Sequence, residues 1–122
     1  MTLLLDAGAF VALERGDPAA NRRLKRQRAL GSAPMTHGGI VGQVWRGGAR
    51  QARLAMWLAT AVVVHLDEEL GRASGALLAR TGGDDVIDAA LVLLAHDGDT
   101  ILTSDADVLA TAAGRHVDVI PA

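Results

Sequence analysis

The chain has 122 residues, half of them hydrophobic and 21% charged, with a formal net charge of -2; this is room for one domain around one core and argues against disorder. It contains no cysteine, which removes disulfide scaffolds, thiolate zinc sites and cysteine nucleophiles together. The apolar uncharged stretch Leu54 to Leu66 covers 13 residues, short of the ~20 that span a bilayer. No basic leader is present and Asp6 interrupts the first apolar run, so a single cytoplasmic domain over residues 1–122, without membrane association, is expected.

The chain opens with an apolar run, Thr2 to Leu5, too short for a helix and free of polar alternation, which reads as a buried parallel strand. A helical turn follows through Phe10 and Leu13. Asp17 before Pro18 is an N-cap with proline at the first helical position, opening an exposed, basic helix to about Leu30. Pro34 to Thr36 reads as a second strand, and Ile40, Val41 and Val44 give helical spacing up to the Gly47-Gly48 break. Ala49 to Ala59 is amphipathic through Leu54, Trp57 and Leu58, and Val62 to Leu66 is a β-branched strand. Asp67 caps a helix to about Arg80 that stops at Gly82-Gly83. Asp84 or Asp85 opens the next, through Val86 to Ala95. Thr100 to Thr103 is a strand, Asp105 starts a helix ending near Gly114, and Val117 to Ile120 is the last strand. Strands alternating with helices predict an α/β fold with a parallel sheet covered on both faces. Sites in such folds form beyond the carboxyl ends of the strands, where Asp6 and Asp105 fall.

The modest net charge conceals an asymmetry. Residues 1–62 carry nine bases against three acids, a formal +6, and residues 63–122 carry three bases against eleven acids, a formal -8. Such a split suits either a polyanion-binding surface beside an acidic site or two ordinary solvated faces. Asp6 and Asp105 each stand where a carboxylate caps a helix. Asp88 lies inside a helix among Ile87, Ala89, Leu91 and Val92, where an unpaired carboxylate costs several kcal/mol on the order of, so it calls for a cation, a donor set or a wet cleft. Asp85 shares its face. Oxygen donors without histidine or cysteine partners suit a hard ion, Mg²⁺ or Mn²⁺. His37, His65, His96 and His116 lack ligand spacing and read as structural or surface residues. Trp45 and Trp57 sit in apolar stripes and read first as core, with base stacking or filling a protein partner's groove as the alternatives.

Three segments, LLLDAGAFVALERGD (Leu3 to Asp17), DDVIDAALVLLA (Asp84 to Ala95) and ILTSDADVL (Ile101 to Leu109), resemble in order the three acidic motifs of PIN-domain ribonucleases, in particular the VapC-type toxins. The resemblance implies a PIN-like three-layer α/β/α sandwich with a central parallel sheet. It also implies Mg²⁺- or Mn²⁺-dependent endonucleolytic hydrolysis of RNA, a VapB-like antitoxin partner and a toxin homodimer. Position by position it implies Asp6, Asp88 and Asp105 as catalytic and metal-holding acids, Thr103 as the hydroxyl companion of Asp105, and Asp85 and Asp107 as further metal-binding acids. One position departs from the family: its second acid, a Glu, reads Gln43 here. A glutamine offers a carbonyl oxygen but neither a charge nor a general base. A catalytically weakened RNA- or antitoxin-binding module is therefore the alternative, and a phosphorylated receiver-like switch is a poorer one, because Asp6 lacks the acidic neighbour receivers carry. Arg22, Arg23, Arg26, Arg46, Arg50 and Arg53 are the candidate RNA-binding residues, contacting backbone phosphates. Arg46, Arg50 and Arg53 form one stripe only if helicity crosses Gly47-Gly48.

Overall fold

A computed structural model describes residues 1–105, 112 and 115–120. Five short strands form an all-parallel sheet: β1 (Leu3–Leu5), β2 (Met35–His37), β3 (Val62–Val64), β4 (Thr100–Thr103) and β5 (His116–Val119), in the order β3-β2-β1-β4-β5. Parallel pairing obliges a crossover between neighbours, and helices supply it: α1 (Ala7–Glu14), α2 (Pro18–Ala29), α3 (Gly38–Val44), α4 (Ala52–Thr60), α5 (Glu68–Thr81) and α6 (Val86–Leu94). Leu3, Leu4 and Leu5 are all fully buried. Successive residues of a strand face opposite sides, so the central strand is covered on both faces and the fold has three layers. α1 packs against α2, α3 and α4, while α5 lies along α6.

Local signals account for most boundaries. Asp17, Asp67 and Asp85 each accept a backbone N–H three residues on, at 2.9, 2.9 and 3.1 Å, and Gly82 ends α5 in the left-handed conformation that only glycine adopts freely. Several expectations shift. α2 is amphipathic rather than wholly exposed, burying Ala20, Leu24 and Gln27. The segment after Gly48 begins with a single 3-10 turn, Ala49–Gln51, before α4. β3 stops at Val64 and, as an edge strand, leaves Val62 and Val63 exposed. β5 starts one residue earlier than the apolar pattern suggested. The helix expected from Asp105 to near Gly114 and the candidate acid Asp107 lie outside the described residues.

Candidate metal centre and acidic cleft

Sheet register builds the site. Leu5 of β1 pairs with Leu102 of β4, so Asp6, next after Leu5, reaches the same sheet end as Thr103. Asp6 is 2% exposed and holds two bonds at once. Its Oδ1 caps α1 by accepting the Ala9 N–H at 2.8 Å, and its Oδ2 accepts the Thr103 hydroxyl. The Thr103 Oγ1 in turn accepts the Asp105 N–H at 2.9 Å. One hydroxyl therefore orients the first acid and the chain that carries the third. Burial raises the Asp6 pKa, partly offset by the Thr103 and Ala9 hydrogen bonds, with the Asp105 charge adding to the rise.

Asp88 comes from the first turn of α6, behind the Asp85 cap, and is 7% exposed. Its carboxyl is pushed up to about 7, first by burial and then by the charges of Asp85, Asp105 and Asp6, with a side-chain hydrogen bond to Asp85 acting in the same direction. Those charges identify one electrostatic unit. Asp6, Ala7, Gly8, Gln43, Asp85, Asp88, Ser104 and Asp105 line a single cleft of about 530 Å³. Gln43 reaches it from α3, where the resemblance places the family's second acid.

The donor set fits a hard divalent ion: every donor is an oxygen, and the repulsion that raises Asp88 is the kind a cation relieves. Among the described residues no three acidic or histidine side chains stand close enough to hold one ion jointly. The arrangement therefore suits an ion that keeps several waters, as Mg²⁺ does, rather than a closed cage. Both Asp6 oxygens make hydrogen bonds, yet each retains a lone pair.

Three features escaped the sequence reading of function. His37 is fully buried; its Nδ1 accepts the Gly39 N–H at 3.1 Å, capping α3, and its Nε2 lies 2.8 Å from the Ile87 carbonyl. That carbonyl can only accept, so the ring is the neutral Nε2–H tautomer, tying the helix of Gln43 to the turn of Asp88. Burial lowers its pKa. Gly39 lies against the same pair, because a Cβ there would press on Ile87 and stand 2.9 Å from His37 Cε1. Gly8 has a similar role, since a Cβ there would meet the Ser104 side chain and come within 3.3 Å of its backbone nitrogen. A histidine or glycine next to a strand end signals nothing by itself.

The candidate RNA-binding arginines lie outside the cleft lining. Arg22 and Arg26 are exposed on α2, and Arg23 pairs with Asp118 of β5 at 2.6 Å. Arg46 and Arg50 are exposed around the turn after α3, and Arg53 on α4 donates to the Glu14 carbonyl at 3.2 Å. Helicity does not cross Gly47-Gly48, so no single Arg46–Arg50–Arg53 stripe forms.

No family model matches this sequence, and no curated protein matches it. Among solved structures it is similar to a chain in the crystal structure of VapBC2 from Rickettsia felis bound to a DNA fragment from their promoter. The TM-score is 0.70 at 12% sequence identity, covering 98% of this chain and 99% of that one. At that identity the likeness establishes the fold, which is the PIN-like α/β sandwich that the three acidic motifs implied. Among the described residues, no helix is long and apolar enough to cross a membrane.

Proposed function

We propose that this chain is a VapC-type toxin, a Mg²⁺- or Mn²⁺-dependent endoribonuclease acting in the cytoplasm and restrained by a VapB-like antitoxin. The observation that carries the reading is Asp88, a nearly buried carboxyl pushed up to about 7 first by burial and then by the charges of three other carboxylates in one cleft. A fold does not retain such repulsion for stability, since an apolar or amide side chain there is cheaper; acid clusters of this kind mark functional sites. The structural likeness to a chain of a VapBC assembly supports the toxin reading and an antitoxin partner. Pairing as a homodimer follows from the family resemblance.

Asp6, Asp88 and Asp105 would face the hydrated ion, partly through its waters, with Asp85, and Asp107 by resemblance, as accessory acids. When bound, such an ion supplies positive charge against the scissile phosphate and makes water a competent nucleophile near neutral pH. The chain's own residues do the positioning. Thr103 fixes the Asp6 carboxylate and the backbone of Asp105; Asp85 holds the first turn of α6 and shares a hydrogen bond with Asp88; the Gln43 amide orients water or a phosphate oxygen without taking a proton. Exposed arginines on α2 and around the turn after α3 attract the RNA backbone.

Cleavage of single-stranded RNA by the wild type with Mg²⁺ or Mn²⁺, its loss in EDTA, and its loss in Asp6→Asn and Asp88→Asn is the expected result. The second reading, a binding module with weakened catalysis, draws on Gln43, an uncharged amide beside the four carboxylates of the cleft. Metal-independent RNA binding with no turnover by the wild type would establish it instead.

A further inference from the structure

The turn that follows Gln43 is built more firmly than a connector requires. The chain leaves α3 at Trp45 in an extended conformation, and Gly47 and Gly48 then take φ of +85° and +96°, which a side chain would resist. Gln51, buried beneath the turn, closes it. Its Oε1 accepts the Arg46 and Gly47 N–H groups at 2.8 and 2.9 Å, and its Nε2 donates to the Val44 carbonyl at 2.8 Å. Three bonds from one buried amide to one turn fix that backbone in advance of any ligand. The turn displays Trp45, which is 43% exposed, whereas Trp57 is buried in the core. Arg46 and, in the 3-10 turn that follows, Arg50 are exposed, and the Arg46 guanidinium folds back onto the Gly42 and Trp45 carbonyls at 3.0 and 2.7 Å.

An exposed indole on preordered backbone, followed along the chain by two exposed arginines and lying two residues from a side chain that lines the acidic cleft, has the chemistry of a stacking platform for single-stranded nucleic acid. Every base offers a π face to the indole, and the phosphates meet the cations. We propose that the Trp45–Gly48 turn is an accessory subsite that stacks one base of single-stranded RNA flanking the cleft, with Gln51 as its positioning residue. The proposal rests on the nuclease reading. The neighbours of Trp45 along the turn are arginines and glycines rather than apolar side chains, which favours a polyanion over an apolar segment of a partner protein.

The test is equilibrium binding of a fluorescein-labelled single-stranded oligoribonucleotide in EDTA, over a range of salt concentrations, together with steady-state cleavage in Mn²⁺. Trp45→Ala is expected to lose roughly tenfold in affinity at every salt concentration, with KM raised and kcat little changed, while Trp45→Phe retains most of the binding. Arg50→Ala should instead flatten the log-log salt dependence by about 0.7. Bound RNA should shield the iodide-quenchable emission of Trp45 and leave that of Trp57 unchanged. Gln51→Ala should match Trp45→Ala, and the double variant should be no worse than either. If Trp45→Ala binds within twofold of the wild type while RNA is still bound and cleaved, the subsite is refuted, the nuclease reading stands, and the turn is left for a protein partner. If the wild type neither binds nor cleaves RNA, both fall.

Discussion

Replacing Asp88 by asparagine separates a functional carboxylate from a structural one, because the two roles predict opposite signs. In the folded chain the Asp88 carboxyl is raised from 3.8 to about 7, so between those values the native state holds a proton that the unfolded chain has lost. Wild-type stability therefore falls as pH rises from about 4 to about 7 and stays at the lower level above, where Asp88 is ionised in both states. The full displacement corresponds to at most about 4 kcal/mol; water in the open cleft screens part of it, leaving about 2 kcal/mol. Asparagine keeps a donor for Asp85 and carries no charge. Without metal, Asp88→Asn should be more stable than wild type by about 2 kcal/mol at pH 8, or about 8 °C in Tm, with the gain vanishing below about pH 4. Urea unfolding of both proteins in EDTA across pH 4–8 measures this. Mg²⁺ should raise the wild-type Tm more than that of the variant. A variant less stable than wild type at pH 8, or a difference that does not change with pH, would refute the argument from acid repulsion.

Other outcomes follow from the same geometry. Gln43→Glu adds a carboxylate to the cleft, so calorimetric titration should show Mg²⁺ or Mn²⁺ binding tightened at least tenfold, about 1.4 kcal/mol, with lower apo stability; unchanged metal affinity would place Gln43 outside the site. His37→Ala removes the α3 cap and the bond to Ile87, costing about 2–3 kcal/mol in urea unfolding. Because burial lowers the His37 pKa, the unfolded chain takes up the proton first, and the wild type should lose stability as pH falls below 6.5 through this group; the His37→Ala variant should lack that component. Thr103→Val keeps the shape but removes the hydroxyl shared by Asp6 and Asp105, so it should cost about 1–3 kcal/mol in stability and also depress metal-dependent cleavage. Gly8→Ala should destabilise by about 1–3 kcal/mol, and Ser104→Gly should recover most of that loss in the double variant, as read from thermal melts.

Most of the described elements and several of their ends were legible along the chain because their causes are local. Asp17, Asp67 and Asp85 cap helices from within three residues, Gly82 stops α5 through its own φ, and unbroken apolar runs such as Leu3–Leu5 announce a strand buried on both faces. The order of the acidic motifs pointed to Asp6, Asp88 and Asp105, and the burial of Asp88 could be anticipated from its apolar neighbours. What the chain does not announce is anything set by register between distant segments. Thr103 meets Asp6 across 97 positions only because Leu5 pairs with Leu102, and His37 reaches Ile87 across 50. Exposure was misread at one position: Trp45 and Trp57 both read first as core, yet Trp45 forms a turn surface and only Trp57 packs in the core, because Gly47-Gly48 and the Gln51 clamp lead the chain away from α3 before α4 begins. Periodicity and capping report a residue's relation to its near neighbours. A site assembled from β1, α3, α6 and β4 depends on contacts that exist only once the sheet has closed, so the candidate acids were visible in the sequence while their partners, Thr103 toward Asp6 and His37 toward Ile87, came from tertiary structure.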